Sequence, residues 1–236
     1  MDDIILNIRK ELAQNSDQKT RESGKRFFKE AVKMYGVKTA TVLKICKTYF
    51  NQIKNRSKAE IFGLCEILWQ SGYLDESFIA CEWSYALREK YEPKDFKLFE
   101  SWINGHISNW ASCDTLCNHT MGAFLEMYPE YLPQLKTWAK SKNRWTRRAS
   151  AVSLIVPAKR GNFLKEVFEI SDILLLDQDD MVQKGYGWLL KEESRKHQKE
   201  VFDYVIKNRA IMPRTALRYA IELMPKELRA EAMKKG

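Results

Sequence analysis

Trp145-Thr146-Arg147-Arg148-Ala149-Ser150-Ala151-Val152-Ser153-Leu154-Ile155-Val156 is the stretch on which the fold turns. Its pattern has the 3.6-residue period of an amphipathic helix, without the alternation of a strand. Similar helix starts recur near Trp110, Met181 and Met212, at intervals of 35, 36 and 31 residues. Such periods arise from stacked helix pairs, each unable to bury its apolar face alone, which build a curved solenoid with an extended concave face. The residue identities repeat poorly, so a compact irregular helical bundle stands as the alternative.

Outward from this stretch the same period predicts helices over 3–13, 20–35, 39–50, 57–70, 75–89, 94–104, 109–127, 131–141, 145–156, 162–175, 180–192, 197–208 and 213–224. Turn signals separate them, among them Tyr35-Gly36, Ser71-Gly72, Ser108-Asn109, Tyr128-Pro129 and Arg160-Gly161. Glycine (10) and proline (6) are too sparse for an all-β sandwich, and no flexible linker appears. The expectation is therefore an all-α fold, read as one domain over 1–236. With 44% hydrophobic and 30% charged residues the composition is that of a soluble globular protein.

The formal net charge of +9 points to phosphate-bearing or otherwise acidic partners. Between Ser141 and Arg160 the chain has six basic residues and no acid. Arg144, Arg147 and Arg148 fall at i, i+3 and i+4, on one helical face, where like charges repel unless an anion neutralises them. A plain solvated basic face is the competing reading. Lys184 stands 36 residues after Arg148 and would line up with it along a solenoid groove, suited to a duplex backbone. Gly185 and Gly187 beside it weaken a helix by roughly 1–2 kcal/mol together. Either a sugar-phosphate backbone approaches there, with Trp188 as its wall, or two helices pack tightly.

The N-terminus, Met1-Asp2-Asp3-Ile4-Ile5-Leu6, has the character of neither a signal nor a transit peptide, and apolar runs such as Ile173–Leu176 are far too short to span a bilayer. A cytoplasmic location without membrane contact is expected, nucleoid-associated in a bacterium. Five cysteines (Cys46, Cys65, Cys81, Cys113, Cys117) without a framework of spacings read as reduced thiols. Cys113-x-x-x-Cys117-x-His119 is only half of a zinc motif, so buried thiols are preferred to a metal. No glycine-rich phosphate loop, nucleophile elbow or H-E-x-x-H occurs. His106, His119 and His197 have no partners at catalytic spacing. Asp179 and Asp180, just before a helix, read as N-cap residues. Trp69, Trp83, Trp102 and Trp138 read as interior.

Trp110 and Asp114 lie four apart, so one helix stacks an indole and a carboxylate on the same face. Core packing for the indoles of Trp110 and Trp188, and a solvated carboxylate for Asp114, are the plain readings of these residues.

Three short motifs in order, Trp110-Ala-Ser-Cys-Asp114, Asn143-Arg-Trp145-Thr-Arg-Arg148 and Gln183-Lys184-Gly-Tyr-Gly187-Trp188, resemble the AlkD-type DNA alkylation-repair glycosylases over nearly the whole chain. The resemblance implies a solenoid of HEAT-like antiparallel helix pairs with a basic concave groove for duplex DNA. It implies excision of cationic N3- and N7-alkylpurines, such as 3-methyladenine and 7-methylguanine, without drawing the base into a pocket. On it, Asp114 is the catalytic carboxylate, Trp110 and Trp188 are aromatic walls beside the deoxyribose, and Arg148 clamps a phosphate. Arg147, Arg144 and Lys184 join Arg148 as DNA-binding candidates. Phe27, Lys38 and Thr39 extend that set, although Phe27 stands where the family often has tyrosine and Ala40 where it often has proline. Val42 and Leu43 replace the family's usual arginines.

A cationic purine is already a good leaving group, so no general acid is needed. One carboxylate near the anomeric carbon can stabilise the oxocarbenium-like sugar, with indole faces adding roughly 0.5–2 kcal/mol each. A monomer without metal or cofactor, acting on double-stranded DNA with alkylated bases, is the expectation. The competitors are a non-catalytic relative that binds damaged DNA and a helical-repeat scaffold for an acidic protein.

Overall fold

The computed structural model describes residues 2–234. Met1, Lys235 and Gly236 lie outside the described residues, and with them the two ends of the expected 1–236 domain and the first residue of the N-terminal reading. The fold is all-α: among the described residues no strand forms, and one isolated parallel bridge joins Lys33 and Tyr73. No described helix is long and apolar enough to cross a membrane. The chain clusters into two compact units, the first ending at Leu116 and the second beginning at Cys117.

The first unit contains α1 (Asp3–Gln14), α2 (Gln18–Lys25), α3 (Thr39–Ile53), α4 (Lys58–Gln70), α5 (Leu74–Ala86), α6 (Asp95–Gly105) and α7 (Trp110–Thr115). Helix α5 is its hub, packing on α3, α4 and α7. Its buried side includes Ile79, Ala80, Cys81 and Trp83, and the Trp83 indole donates to the Cys46 carbonyl at 3.1 Å. Glu76 on α5 is fully buried but fully engaged, receiving Arg9 Nη2 at 3.0 Å and the Tyr35 hydroxyl at 2.9 Å. A buried carboxyl group is tolerated in a core when its oxygens are engaged in this way.

The second unit contains α8 (Gly122–Met127), α9 (Leu132–Trp138), α10 (Arg144–Val152), α11 (Ile155–Arg160), α12 (Leu164–Leu174), α13 (Asp180–Glu193), α14 (Gln198–Asn208), α15 (Arg214–Ala220) and α16 (Lys226–Met233). Here α13 is the hub, in contact with α10, α11, α12 and α15. Asp179 caps it, accepting from the Met181 and Val182 amides at 2.8 and 3.3 Å. Trp69, Trp83, Trp102 and Trp138 are all buried, as their positions imply, and so are the five cysteines.

Four expectations need correction. The helix over 20–35 ends at Lys25, because residues 26–38 are held by distant groups: the Arg21 guanidinium grips the Tyr35 carbonyl (3.0 and 2.8 Å), and Asp75 accepts from the Tyr35 amide (2.8 Å). The helix over 145–156 breaks after Val152, since Pro157 has no N–H to offer the Ser153 carbonyl. The helix over 109–127 is three pieces, with a π-helical stretch over Leu116–Met121 between α7 and α8. Helix α16 was not foreseen; Pro225 stands just before its first turn, and Arg209 ties it down by donating to the Glu231 carbonyl at 3.0 Å.

Candidate nucleic-acid interface

In the first unit the decisive element is α7. Asn109 starts it, accepting from the Ser112 amide at 2.9 Å. Ala111, Ser112 and Cys113 face the interior and are buried, whereas Trp110 and Asp114, one turn apart, are both part-exposed. The spacing therefore puts an indole and a carboxylate on the same outward side of one helix.

Trp110 is fixed at two points. Its Nε1–H donates to the Phe27 carbonyl at 3.2 Å, and its ring stacks on Phe28 with centroids 5.4 Å apart and planes at 26°. The 26–38 segment is thus the brace of the indole. Asp75 secures it in turn through the Tyr35 and Val37 amides (2.8 and 3.3 Å). Burial pushes the Asp75 carboxyl above the usual carboxylate range, with those two amides pulling against it. Phe27 itself is 72% exposed. Lys38 and Thr39 are exposed at the start of α3, where Lys38 is the N-cap and supplies no side-chain cap. A helix start of this kind favours negative charge.

In the second unit two of the arginines of α10 reach the turn that leads into α13, and the third reaches the first turn of α13 itself. Arg144 Nη2 donates to Asp179 Oδ1 at 2.9 Å, with Nε 2.6 Å from the other carboxylate oxygen. Arg147 Nε donates to Asp177 Oδ2 at 2.6 Å, and its Nη1 to the carbonyls of Ser141 and Lys142 at 3.0 and 3.2 Å. Arg148 is 4% exposed, and its Nη1 donates to the Met181 carbonyl. The anion that the clustered arginines call for is therefore supplied in large part by the chain's own Asp177 and Asp179. Lys184 is likewise 3.3 Å from Asp180.

Packing accounts for both glycines of α13. A Cβ on Gly187 would lie 2.7 Å from the Ala216 carbonyl oxygen and 2.8 Å from Tyr219 Cβ, so α13 and α15 meet there backbone to backbone. A Cβ on Gly185 would lie 3.3 Å from Arg148 Cγ. Neither position needs an approaching DNA strand to explain it. Trp188, on the same helix, is part-exposed.

Phe28 escaped the sequence reading, as did the pairing of Asp177 and Asp179 with arginines. The 35-residue interval is the signal that could have found the latter, since it sets Asp179 one repeat after Arg144. Among the histidines, His106 shares Glu66 with the Trp102 indole (3.0 and 2.6 Å), a pairing its sequence neighbours do not announce. Cys113 and Cys117 are buried and His119 is exposed, and no described cluster of His, Cys, Asp and Glu could hold a metal ion.

No curated protein matches the chain in sequence. In structure it is similar to a predicted DNA alkylation repair enzyme from Enterococcus faecalis, with TM-score 0.79 and 14% identity over 90% of this chain and 98% of the other. The crystal structure of smu.31 from Streptococcus mutans UA159 is similar with TM-score 0.57 and 19% identity, over 81% and 97% of the two chains. These likenesses speak for the fold. The family model for DNA alkylation repair enzymes matches residues 8–224, so the chain belongs to that family, of AlkD type, with a role in alkylation repair and DNA as its partner.

Proposed function

We propose that the protein is a DNA glycosylase that releases cationic N3- and N7-alkylpurines from duplex DNA. The observation that carries the reading is the outward pair on α7, an indole fixed at two points with a carboxylate one turn further on. In the reaction the bond from the anomeric carbon to the purine nitrogen breaks and both electrons leave with the base. The purine departs neutral because it began positive. The sugar becomes electron-poor, and water adds to it with loss of a proton.

Asp114 answers that charge by Coulomb attraction, and the Trp110 ring face adds a smaller share. Since the leaving group needs no proton, a second carboxylate acting as general acid is unnecessary, unlike in hydrolysis of ordinary glycosides. Trp188 takes the second wall and Arg148 a backbone phosphate, as the family resemblance implies. Arg144, Arg147, Lys184, Phe27, Lys38 and Thr39 complete the DNA contacts in this reading. The protein acts as a monomer in the cytoplasm, without metal or cofactor. A scaffold for an acidic protein is a poorer fit, because it gives no role to the outward indole and carboxylate on α7.

The test is to incubate purified protein with methylated duplex DNA and quantify free bases. Release of 3-methyladenine and 7-methylguanine, with none of a neutral damaged base such as uracil, is the expected result. Tight duplex binding without base release would leave the non-catalytic reading in its place.

A further inference from the structure

Helices α15 and α16 bound an open groove of about 410 Å³ in the second unit. Arg218, Ile221 and Glu222 line it from α15 and the residues just after that helix. Lys226, Arg229, Ala230 and Met233 line it from α16, at the i, i+3, i+4, i+7 spacing of one helical face. That face is not what fastens α16. The helix packs on α14 and buries Ala232, while Arg209 and Arg214 donate to the Glu231 and Met233 carbonyls at 3.0 and 3.3 Å. Ile221 is buried and Met233 part-exposed, which makes the floor apolar. Arg218, Lys226 and Arg229 stand exposed around it. Among the described residues no carboxylate pairs with these three cations, in contrast to Arg144 and Arg147. Glu222, the acid in the lining, lies 3.2 Å from Lys191 on α13.

We propose that this groove docks an acidic segment of a partner protein, its carboxylates against Arg218, Lys226 and Arg229 and a large apolar side chain over Ile221 and Met233. Cations around an apolar floor call for a ligand that is anionic and apolar at once. Exposed ion pairs add little by themselves, so the floor decides what is selected. A DNA backbone supplies the charge but has nothing to cover Ile221 and Met233, and a free phosphate leaves them equally bare. None of the residues assigned to DNA above lies on α15 or α16. The docking site is therefore independent of the glycosylase reading, and it gives the protein a handle that shares no residue with the DNA contacts.

The experiment measures fluorescence anisotropy of labelled peptides titrated with the full chain. The first peptide sets aspartates and glutamates around two leucines and a phenylalanine. In the second, serines replace the apolar residues, and in the third, lysines replace the acids. The first binds about tenfold tighter than the second, the scale expected for burying one large apolar side chain, and the third does not bind. Lys226→Glu combined with Arg229→Glu weakens the first peptide at least tenfold, while duplex affinity and melting temperature stay near wild type. Ala230→Glu, which sets a carboxylate in the groove at an exposed helical position, gives the same loss and serves if the double variant disturbs folding. Saturating duplex DNA leaves the peptide affinity unchanged.

Equal affinities for the first two peptides overturn the proposal, because a bare cationic patch would then suffice. Failure of the first peptide to bind overturns it as well. So does displacement of the peptide by duplex together with a salt slope of DNA binding lowered by about two in the double variant, which would hand the groove to DNA phosphates. No step of the experiment requires base release, so a chain that binds the peptide yet frees no 7-methylguanine keeps the docking site and loses the glycosylase reading. The reverse result loses the docking site alone.

Discussion

Helices α7 and α10 present their polar residues in contrasting ways. On α7 the chain builds outward: Trp110 is braced from behind by Phe27 and Phe28, and Asp114 stands part-exposed on the same side. On α10 three arginines turn toward α13 and the turn before it, where Asp179, Asp177 and the Met181 carbonyl hold them. Buried carboxylates differ between the units as well. Glu76 is met by Arg9 and Tyr35, while among the described residues neither oxygen of Glu193 has a hydrogen-bond partner, and His197 Nε2 stands 3.5 Å from Oε1. A helix's charge count thus says little about how much of that charge a ligand can reach. What a side chain already holds decides it.

That contrast can be broken at α13. Gly187→Ala forces a Cβ against the Ala216 carbonyl and Tyr219, which should destabilise the fold by about 2–3 kcal/mol. For a chain of this size the melting temperature should fall by about 8 °C, with DNA affinity below the transition unchanged. Lost affinity at an unchanged melting temperature would return the glycine to the DNA side.

Arg148→Ala removes a buried guanidinium from a carbonyl and should cost about 2 kcal/mol, or about 6 °C. If it also holds a phosphate, the salt slope of duplex binding falls by about one. The same thermal loss with an unaltered slope assigns Arg148 to the fold alone.

Glu193 sharpens the comparison of buried carboxylates. Burial raises its carboxyl to about 7 from a usual 4.5, with His197 pulling down and Glu200 pushing up. A raised carboxyl favours the folded state while it is protonated, so its contribution is whole below pH of about 4.5 and lost as pH climbs through about 7. Glu193→Gln should therefore raise the melting temperature by about 5 °C at pH 8 and leave it unchanged at a pH of about 4. An equal effect at both pH values would mean that the carboxyl does not titrate there.

The smallest effect is expected from Asp177→Asn. Weakening the carboxylate's hold on Arg147 should tighten duplex binding about threefold and steepen its salt dependence. Unchanged binding would show that Arg147 remains committed to the turn.

Much of this architecture is legible in the sequence. Period alone located most helices, and the four-residue step from Trp110 to Asp114 put both on the same side of α7. The loop over 26–38 was not legible, because Phe27, Phe28, Val32 and Met34 mimic a helical stripe while the bonds that extend the segment come from Arg21 and from Asp75, 40 residues beyond Tyr35. The fate of Arg144 and Arg147 was hidden for the same reason: their partners lie 30 to 35 residues downstream. Asp179 was correctly read as a cap, but capping and ion pairing use the same carboxylate, and sequence shows only the first.

The most direct test of the central claim is single-turnover release of 7-methylguanine from methylated duplex by the wild type and by Asp114→Asn, with duplex affinity measured alongside. The account predicts a rate lowered by two orders of magnitude or more, the scale of losing one preorganised electrostatic group, at nearly constant affinity. An equal rate in the two proteins would remove Asp114 from the chemistry and contradict the account.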